Sequence, residues 1–238
     1  MAAGVNLRRR TQLRLGARQV SGEYRIDVSS SEALPEDDYR EGSVYGNIRY
    51  DGLDNLFFPT HGGFLFAEYE AVREGMGADR SFERWQAFGQ AAFSFGADSA
   101  NTVILTARTG QSKGATSEPQ NFYQLGGLFN GSGVPQNYFS GRQMAFVMGQ
   151  YQRRLSNNSV LPINLPVYAG FSIEGAQLWT DRSDVDFGDL VGAGSIYLGI
   201  DSPVGPLFLA YGHSEQDLSA IYLSLGWPFL TNQARIGR

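Results

Sequence analysis

The sequence predicts an all-β chain, and three observations carry that expectation. Apolar side chains alternate with polar or small ones at a period of two through one segment after another. The alternating runs are about 10 to 15 residues long, where strands of soluble sheets are usually about five or six. The links between them are unequal: tight from Pro203 to Pro206, long and polar at 28–42, 74–82 and 111–121. A soluble sandwich turns its apolar face inwards, whereas a transmembrane antiparallel β-barrel turns that face to lipid. The period alone does not orient the face. Strand length, aromatic residues near strand ends and the asymmetry of the links favour the transmembrane barrel.

Composition narrows the field from another side. The chain has 238 residues, 42% hydrophobic and 18% charged, which supports a real core and excludes a disordered tail, a collagen or a disulfide-stapled mini-protein. The net charge of -5 and the scattered basic residues argue against a grip on nucleic acid. Cysteine is absent, which removes thiol catalysis and Cys-ligated zinc and says nothing of compartment. Thirty glycines alongside 16 Phe, 12 Tyr and 3 Trp is an unusual pairing of small residues with rings. The N-terminal stretch places Arg8-Arg9-Arg10 after a very short apolar run, which does not read as a signal peptide. No window approaches the roughly 18 apolar residues of a membrane-spanning helix.

Along the chain, the earliest strand sets Leu13, Leu15 and Ala17 against Arg14, Gly16 and Arg18, with Tyr24 and Ile26 as a continuation. Val44, Gly46, Ile48 and Tyr50 oppose Asn47, Arg49 and Asp51; Leu65, Ala67, Tyr69 and Ala71 oppose Glu68 and Glu70. Trp85, Ala87, Gly89, Ala91, Phe93 and Phe95 lie across from Arg84, Gln86, Phe88, Gln90 and Ser94, and Val103, Leu105 and Ala107 from Thr106, Arg108 and Gly110. Segment 140–155 is ambiguous, because Met144, Phe146 and Met148 compete with Ala145 and Val147 for the apolar side. Val167, Ala169, Phe171 and Ile173 alternate with Tyr168, Gly170, Ser172 and Glu174; Ile196, Leu198 and Ile200 alternate with Ser195, Tyr197 and Gly199. The turn at Ser202 to Pro206 leads into Leu207, Leu209 and Tyr211, and the last strand carries Ile221, Leu223, Leu225, Trp227 and Phe229 on one face. The count is about ten strands, ten to twelve as a range, in one domain over residues 1–238.

Two stretches carry a family resemblance. Tyr50 through Gly63, with Asp54, Phe58, Pro59, Thr60 and Gly62, resembles the turn motif of the bacterial surface-antigen superfamily, the outer-membrane barrels that include BamA-type and TamA-type assembly factors. Phe122 to Gly133, then Leu155 to Phe229, is most similar to the barrel domain of patatin-like, type V-d autotransporters. The resemblance covers about residues 45–229 and extends to short members lacking periplasmic domains. It implies a lumen-folded loop over 121–139 with Gly126, Gly127, Asn130, Gly131 and Ser132 at its tip. The assembly factors carry an Arg-Gly-aromatic tip whose Arg meets a wall acid. Here Asn130-Gly131-Ser132 has no Arg while Glu174 stands in the acid's place, so packing is expected through glycine backbone and through Asn130 or Ser132 hydrogen bonds. Leu225, Gly226, Trp227 and Phe229 resemble the C-terminal insertion signal, followed by an extension over 230–238.

The family barrel has sixteen strands, which leaves closure open here: a narrow barrel of ten to twelve, two chains pairing edge to edge, or a fragment of a larger parent. A sheet in lipid cannot leave an edge unpaired. The resemblance further implies a place in the bacterial outer membrane, contact with its lipid and lipopolysaccharide, handling by the barrel-assembly machinery during insertion, and no cofactor. The inward charges Arg14, Arg18, Arg49, Arg84 and Arg108 against Glu68, Glu70 and Glu174 are expected to form an ion-pair network in the lumen. Enzymatic chemistry finds little support. No serine stands in a Gly-x-Ser-x-Gly elbow, His213-Ser214-Glu215 places neighbours on opposite sides of a strand, and His61 reads as part of a turn. Two distant histidines make no metal site. The resulting reading is a non-enzymatic outer-membrane barrel related to protein translocation and assembly. A passive pore or a soluble β-sandwich binding module stands as the alternative.

Overall fold

The computed structural model describes residues 1–24, 37–114, 122–156 and 165–226. They form thirteen strands: β1 (Ala2–Arg8), β2 (Thr11–Tyr24), β3 (Asp37–Asp51), β4 (Gly62–Val72), β5 (Phe82–Phe95), β6 (Asn101–Lys113), β7 (Tyr123–Leu125), β8 (Phe139–Gly141), β9 (Gln143–Ser156), β10 (Val167–Trp179), β11 (Val191–Ser202), β12 (Gly205–Ser214) and β13 (Ser219–Leu225). Eleven make one antiparallel meander in the order β1-β2-β3-β4-β5-β6-β9-β10-β11-β12-β13, and β7 pairs with β8 separately. No α-helix occurs among the described residues.

The boundaries correct the sequence reading in several places. Residues 37–42 are strand rather than link, because Asp37 to Gly42 stay paired with Gln19 to Tyr24. Residues 111–113 complete β6 opposite Glu83 to Trp85. The N-terminal residues, which show no clean alternation, form β1 through in-register pairing with β2, from Ala2 opposite Gly16 to Asn6 opposite Gln12. Small Ala and Gly side chains hide the period there, and only the partner strand reveals the pairing. The sheet does not close on itself: β1 and β13 are unpaired edges among the described residues. Ile26, Trp227, Phe229 and 230–238 lie outside the described residues.

The sheet inverts the burial rule of soluble proteins. Leu223 is 77% exposed and Ile173 69%, while Glu70 and Gln152 are each 1% exposed. Every segment follows its parity: Leu15, Val44, Leu65, Phe93, Leu105, Ile196 and Leu209 point out, and Glu68, Thr106, Arg108, Ser172, Glu174 and Ser195 are buried on the inner face. The ambiguous segment resolves with Met144, Phe146 and Met148 buried inside and Val147 exposed outside. Its two apolar faces meet different surroundings, which is why the period blurred. Eleven of the thirteen strands make a single sheet whose apolar face is exposed rather than packed against a second layer, so the β-sandwich alternative is set aside.

Antiparallel order also sorts the connections. One end carries 9–10, 52–61, 96–100 and 203–204, and the other carries 73–81, 180–190, 215–218 and the long return between β6 and β9. Two segments turn back across the inner face from opposite ends. Residues 126–134 come from the β6–β9 connection, and Phe58 comes from the β3–β4 connection. Together with the inner faces of β9 to β12 they make the apolar core: Phe58, Leu125, Leu128, Phe129, Met144, Phe146, Met148, Tyr168, Tyr197 and Phe208.

Phe58 anchors the second of these returns. Its ring stacks on Tyr168 at 4.3 Å and 3° and lies 5.3 Å from Phe208. A Cβ on Gly199 would fall 2.6 Å from the Phe58 ring, so this strand position admits the anchor by having no side chain. The Phe58→Ala variant is expected to lose about 3–5 kcal/mol, the usual cost of emptying such a site. Thermal unfolding in detergent, read by loss of the compact electrophoretic form, checks this, with the outward Leu105→Ala losing much less.

A candidate functional site in the inner loop

The inner face is built from two chemically different halves. Across β2 to β5 it holds an ionic cluster. Arg84 donates Nε to Glu70 Oε2 at 2.6 Å and Nη2 to Glu41 Oε2 at 3.1 Å. Arg18 reaches Glu70 at 3.4 Å and Glu68 at 3.6 Å, and Ser43 Oγ donates to Glu70 Oε1 at 2.5 Å. The side chains come from adjacent antiparallel strands at neighbouring heights, since Arg18 opposes Ser43 and Glu70 opposes Arg84. Buried charges that share partners in this way avoid the penalty of an isolated ion. Arg49 instead pairs with Asp51 along its own strand at 3.1 Å.

The expected network does not extend further. Among the described residues Arg14 and Arg108 have no carboxylate in ion-pair range, and Glu174 meets no arginine. Arg108 and Glu174 hold the loop instead. Arg108 Nη1 donates to Asn130 Oδ1 at 2.7 Å, and the guanidinium lies 5.7 Å from the Phe146 ring centre. From β10, Glu174 Oε2 accepts the backbone N–H of Gly131 at 2.8 Å and of Ser132 at 2.9 Å, while Oε1 accepts the hydroxyls of Ser132 and Ser172, both at 2.6 Å. The tip Asn130-Gly131-Ser132 therefore spans from a cation on β6 to an anion on β10, and neither charge needs the other.

The loop's own geometry presents those groups. Gly126, Gly127, Gly131 and Gly133 all have positive φ, and so does Phe129 at 60°. Gly126 N–H donates to Asn130 O at 2.7 Å and Gly127 N–H to Val134 O at 2.9 Å, closing the tip on itself. Asn130 Nδ2 returns to Gly126 O at 3.2 Å, leaving its Oδ1 for Arg108. At Gly133 a Cβ would lie 2.7 Å from the His213 backbone, so the loop backbone rests directly on β12. Phe129 inserts edge-on between Tyr197 and Phe208, with centroids 5.1 and 5.5 Å away.

Three of these partners escape sequence reasoning. Arg108, expected in an ion-pair network, binds Asn130 instead. Tyr222 on β13 has no role that its neighbours in sequence suggest, yet its hydroxyl accepts from Gly133 N–H at 2.9 Å and donates to Val134 O at 3.2 Å. Ser172 bridges Glu174 to Ser195 at 2.7 Å. A signal exists for Tyr222 in its inner parity opposite Ala210, but nothing in the chain announces that the loop arrives beside it.

The turn motif closes the other end. Asp54 accepts from Thr60 N at 2.9 Å, Thr60 Oγ1 at 2.5 Å and His61 N at 3.1 Å. Asn55 caps Phe57 and Phe58 through Oδ1 and donates Nδ2 to Asp201 at 3.1 Å, far away on β11. Pro59 O accepts from Gln152 Nε2 at 3.2 Å. Gly62 has φ of 102°, and a Cβ there would lie 2.1 Å from Gly52 O. This is a braced loop laid over the inner face rather than a tight hairpin. Leu225 is exposed on the outward face, and Gly226 N–H donates to Pro206 O at 2.8 Å.

The observed architecture is a wide antiparallel all-β wall with an exposed apolar outer face and an inner face that holds buried polar groups and a returning loop. The chain belongs to the OMP85 superfamily, whose family model matches residues 7–229. The crystal structure of BamA from Haemophilus ducreyi lacking POTRA domains 1–3 is similar in fold, with a TM-score of 0.73 and 11% identity over 94% of this chain and 51% of that one. The chain thus spans about half the length of that protein. No curated protein sequence matches it.

Two predictions come from this geometry. Glu174→Ala strands two buried N–H groups and a hydroxyl, each costing about 1–3 kcal/mol when unsatisfied. Limited proteolysis should then cut within 126–134, while Glu174→Gln, which keeps one acceptor oxygen, is cut far more slowly. For Asp54, burial pushes the carboxyl up, but hydrogen bonds from the Thr60 side chain and the His61 and Thr60 backbone, with the His61 charge, hold it below the ordinary range. Its contribution to stability is therefore full above about pH 4 and fades as pH falls through the lowered folded-state value. Melting curves of the parent and Asp54→Asn should converge under acid and separate near neutrality.

Proposed function

We propose that the chain is a non-enzymatic β-barrel component of the bacterial outer membrane, acting in protein translocation or assembly, with the loop 126–134 as an internal plug. The observation that carries this reading is the clamp at Asn130-Gly131-Ser132, where two opposed charges on separate strands hold a glycine-rich tip against the wall. A passive pore has no need of a buried, multiply bonded loop in its lumen. A strand seam that opens, or a segment held during passage, needs a filled interior that stays sealed meanwhile. Superfamily membership supports the membrane assignment, and so does the exposed apolar outer face. In that membrane the end with short turns faces the periplasm and the end with the β6–β9 return faces outwards.

Two measurements test the reading. The outward Leu105→Arg variant should insert less well, by about 2–4 kcal/mol if the site lies near the bilayer centre, as read by urea titration of folding into phospholipid vesicles. In planar bilayers the parent should conduct weakly and deletion of 126–134 should raise conductance. Equal, large conductance from both would favour the passive pore.

A further inference from the structure

The inner loop does not fill all the space between itself and the wall. A cavity of about 120 Å³ remains where residues 125–134 pass in front of β10, β11 and β12. Leu125, Gly131 and Val134 line it from the loop side, and Ala176, Val191 and Ser214 from the wall. The wall positions sit together across the ladders, since Ala176 opposes Val191 and Ser214 opposes the next inner residue of β11, Ala193. Ser140 and Gln216, both exposed, stand at the rim.

The lining carries no charge. No Asp, Glu, Lys, Arg or His side chain contributes to it, so an ion gains no partner there. Its polar groups are mostly engaged. Gly131 N–H donates to Glu174 Oε2 at 2.8 Å, Gly126 N–H to Asn130 O at 2.7 Å, and Gln177 Oε1 accepts from Leu178 N–H at 3.3 Å. Ser214 differs. The residue is 1% exposed, and its Oγ is buried without a hydrogen-bond partner in the protein. A buried hydroxyl left in this way is costly. Its own backbone is already paired, N–H with Leu218 O and C=O with Asp217 N–H.

One unused hydroxyl thus faces an apolar enclosure. An ordered water needs about two to four polar partners, and the buried side chains around Ser214 in this lining are apolar. The volume instead suits a small ring, since a dry apolar cavity of about 150 Å³ takes benzene. We propose that the cavity binds a small neutral amphiphile, an apolar body about the size of a benzene ring that carries one hydroxyl or carbonyl group. The polar group meets Ser214 Oγ, which can donate or accept. The apolar body lies between Val134 on the loop and Val191 on the wall, so the bound molecule ties the loop to β11 and β12. This goes beyond the translocation role and does not require it.

Phenol is the probe, and toluene its counterpart without the hydroxyl. Because the chain has no cysteine, a single thiol reports on one place. Val191→Cys puts it in the cavity with little change of volume, Ala193→Cys is a second reporter on the same lining, and Leu209→Cys on the exposed outer face is the control. The full chain is folded in detergent micelles, and each variant must resist proteolysis within 126–134 as the parent does. Labelling rates with methyl methanethiosulfonate are then measured against phenol concentration. Phenol should slow labelling of the cavity thiols several-fold and saturably, leaving Leu209→Cys unchanged. Adding Ser214→Ala should weaken that protection by roughly fivefold for phenol, the worth of one hydrogen bond, and leave protection by toluene as it was. Equal slowing at Leu209→Cys, no slowing at either cavity thiol, or phenol protection indifferent to Ser214→Ala overturns the proposal. These outcomes leave the translocation role untouched, which the conductance of the loop deletion tests by itself.

Discussion

A side chain on a strand has only two directions, and in this protein that restriction governs everything else. Eleven strands in register turn a period of two into two continuous surfaces. One collects leucine, isoleucine, valine and aromatic residues; the other collects glutamate, arginine, glutamine, serine and threonine, with Met144, Phe146, Tyr197 and Phe208 where the returning loops pack. Because backbone pairing locks neighbouring parities together, no single strand is free to present its other face. A slip of one residue between β9 and β10, for instance, would turn Glu174 outwards and leave the loop tip without its acceptor.

The inner face uses its polar character in two ways. Along β2 to β5 the charges answer one another, and Glu70 alone is contacted by Arg18, Ser43 and Arg84. Along β6 and β9 to β12 the wall answers a loop. The two oxygens of Glu174 accept from four donors, three of them from Gly131 and Ser132, and Arg108 takes the amide oxygen of Asn130. A glycine-rich segment suits this task, since bare N–H groups at positive φ approach a carboxylate without a Cβ in the way. The Asn-Gly-Ser tip is therefore held chiefly through its backbone N–H groups and short side chains, between Glu174 on one strand and Arg108 on another.

Two returns from opposite ends meet in the same aromatic core. Phe58 and Phe129 both contact Phe208, so the β3–β4 loop and the β6–β9 loop share a wall residue. The two ends are thereby coupled by packing against one shared wall residue. The strand glycines Gly199 and Gly212 provide the seats: a side chain at the first would meet Phe58 and at the second Gly133.

Much of this was legible in the chain itself. The alternation of Val103, Leu105 and Ala107 against Thr106 and Arg108, the long runs, the unequal links and the Asp54-to-Gly62 motif depend on neighbours in sequence, where period and turn chemistry act directly. What stayed hidden depends on distant residues arriving together. The strand Ala2–Arg8 became visible only through its ladder with β2, and the pairing of Asn130 with Arg108, Gly133 with Tyr222 and Asn55 with Asp201 joins positions 22 to 146 residues apart. No local pattern encodes those meetings. They are decided when the sheet curves and its loops fold back, because only then does a buried donor find which acceptor lies within reach.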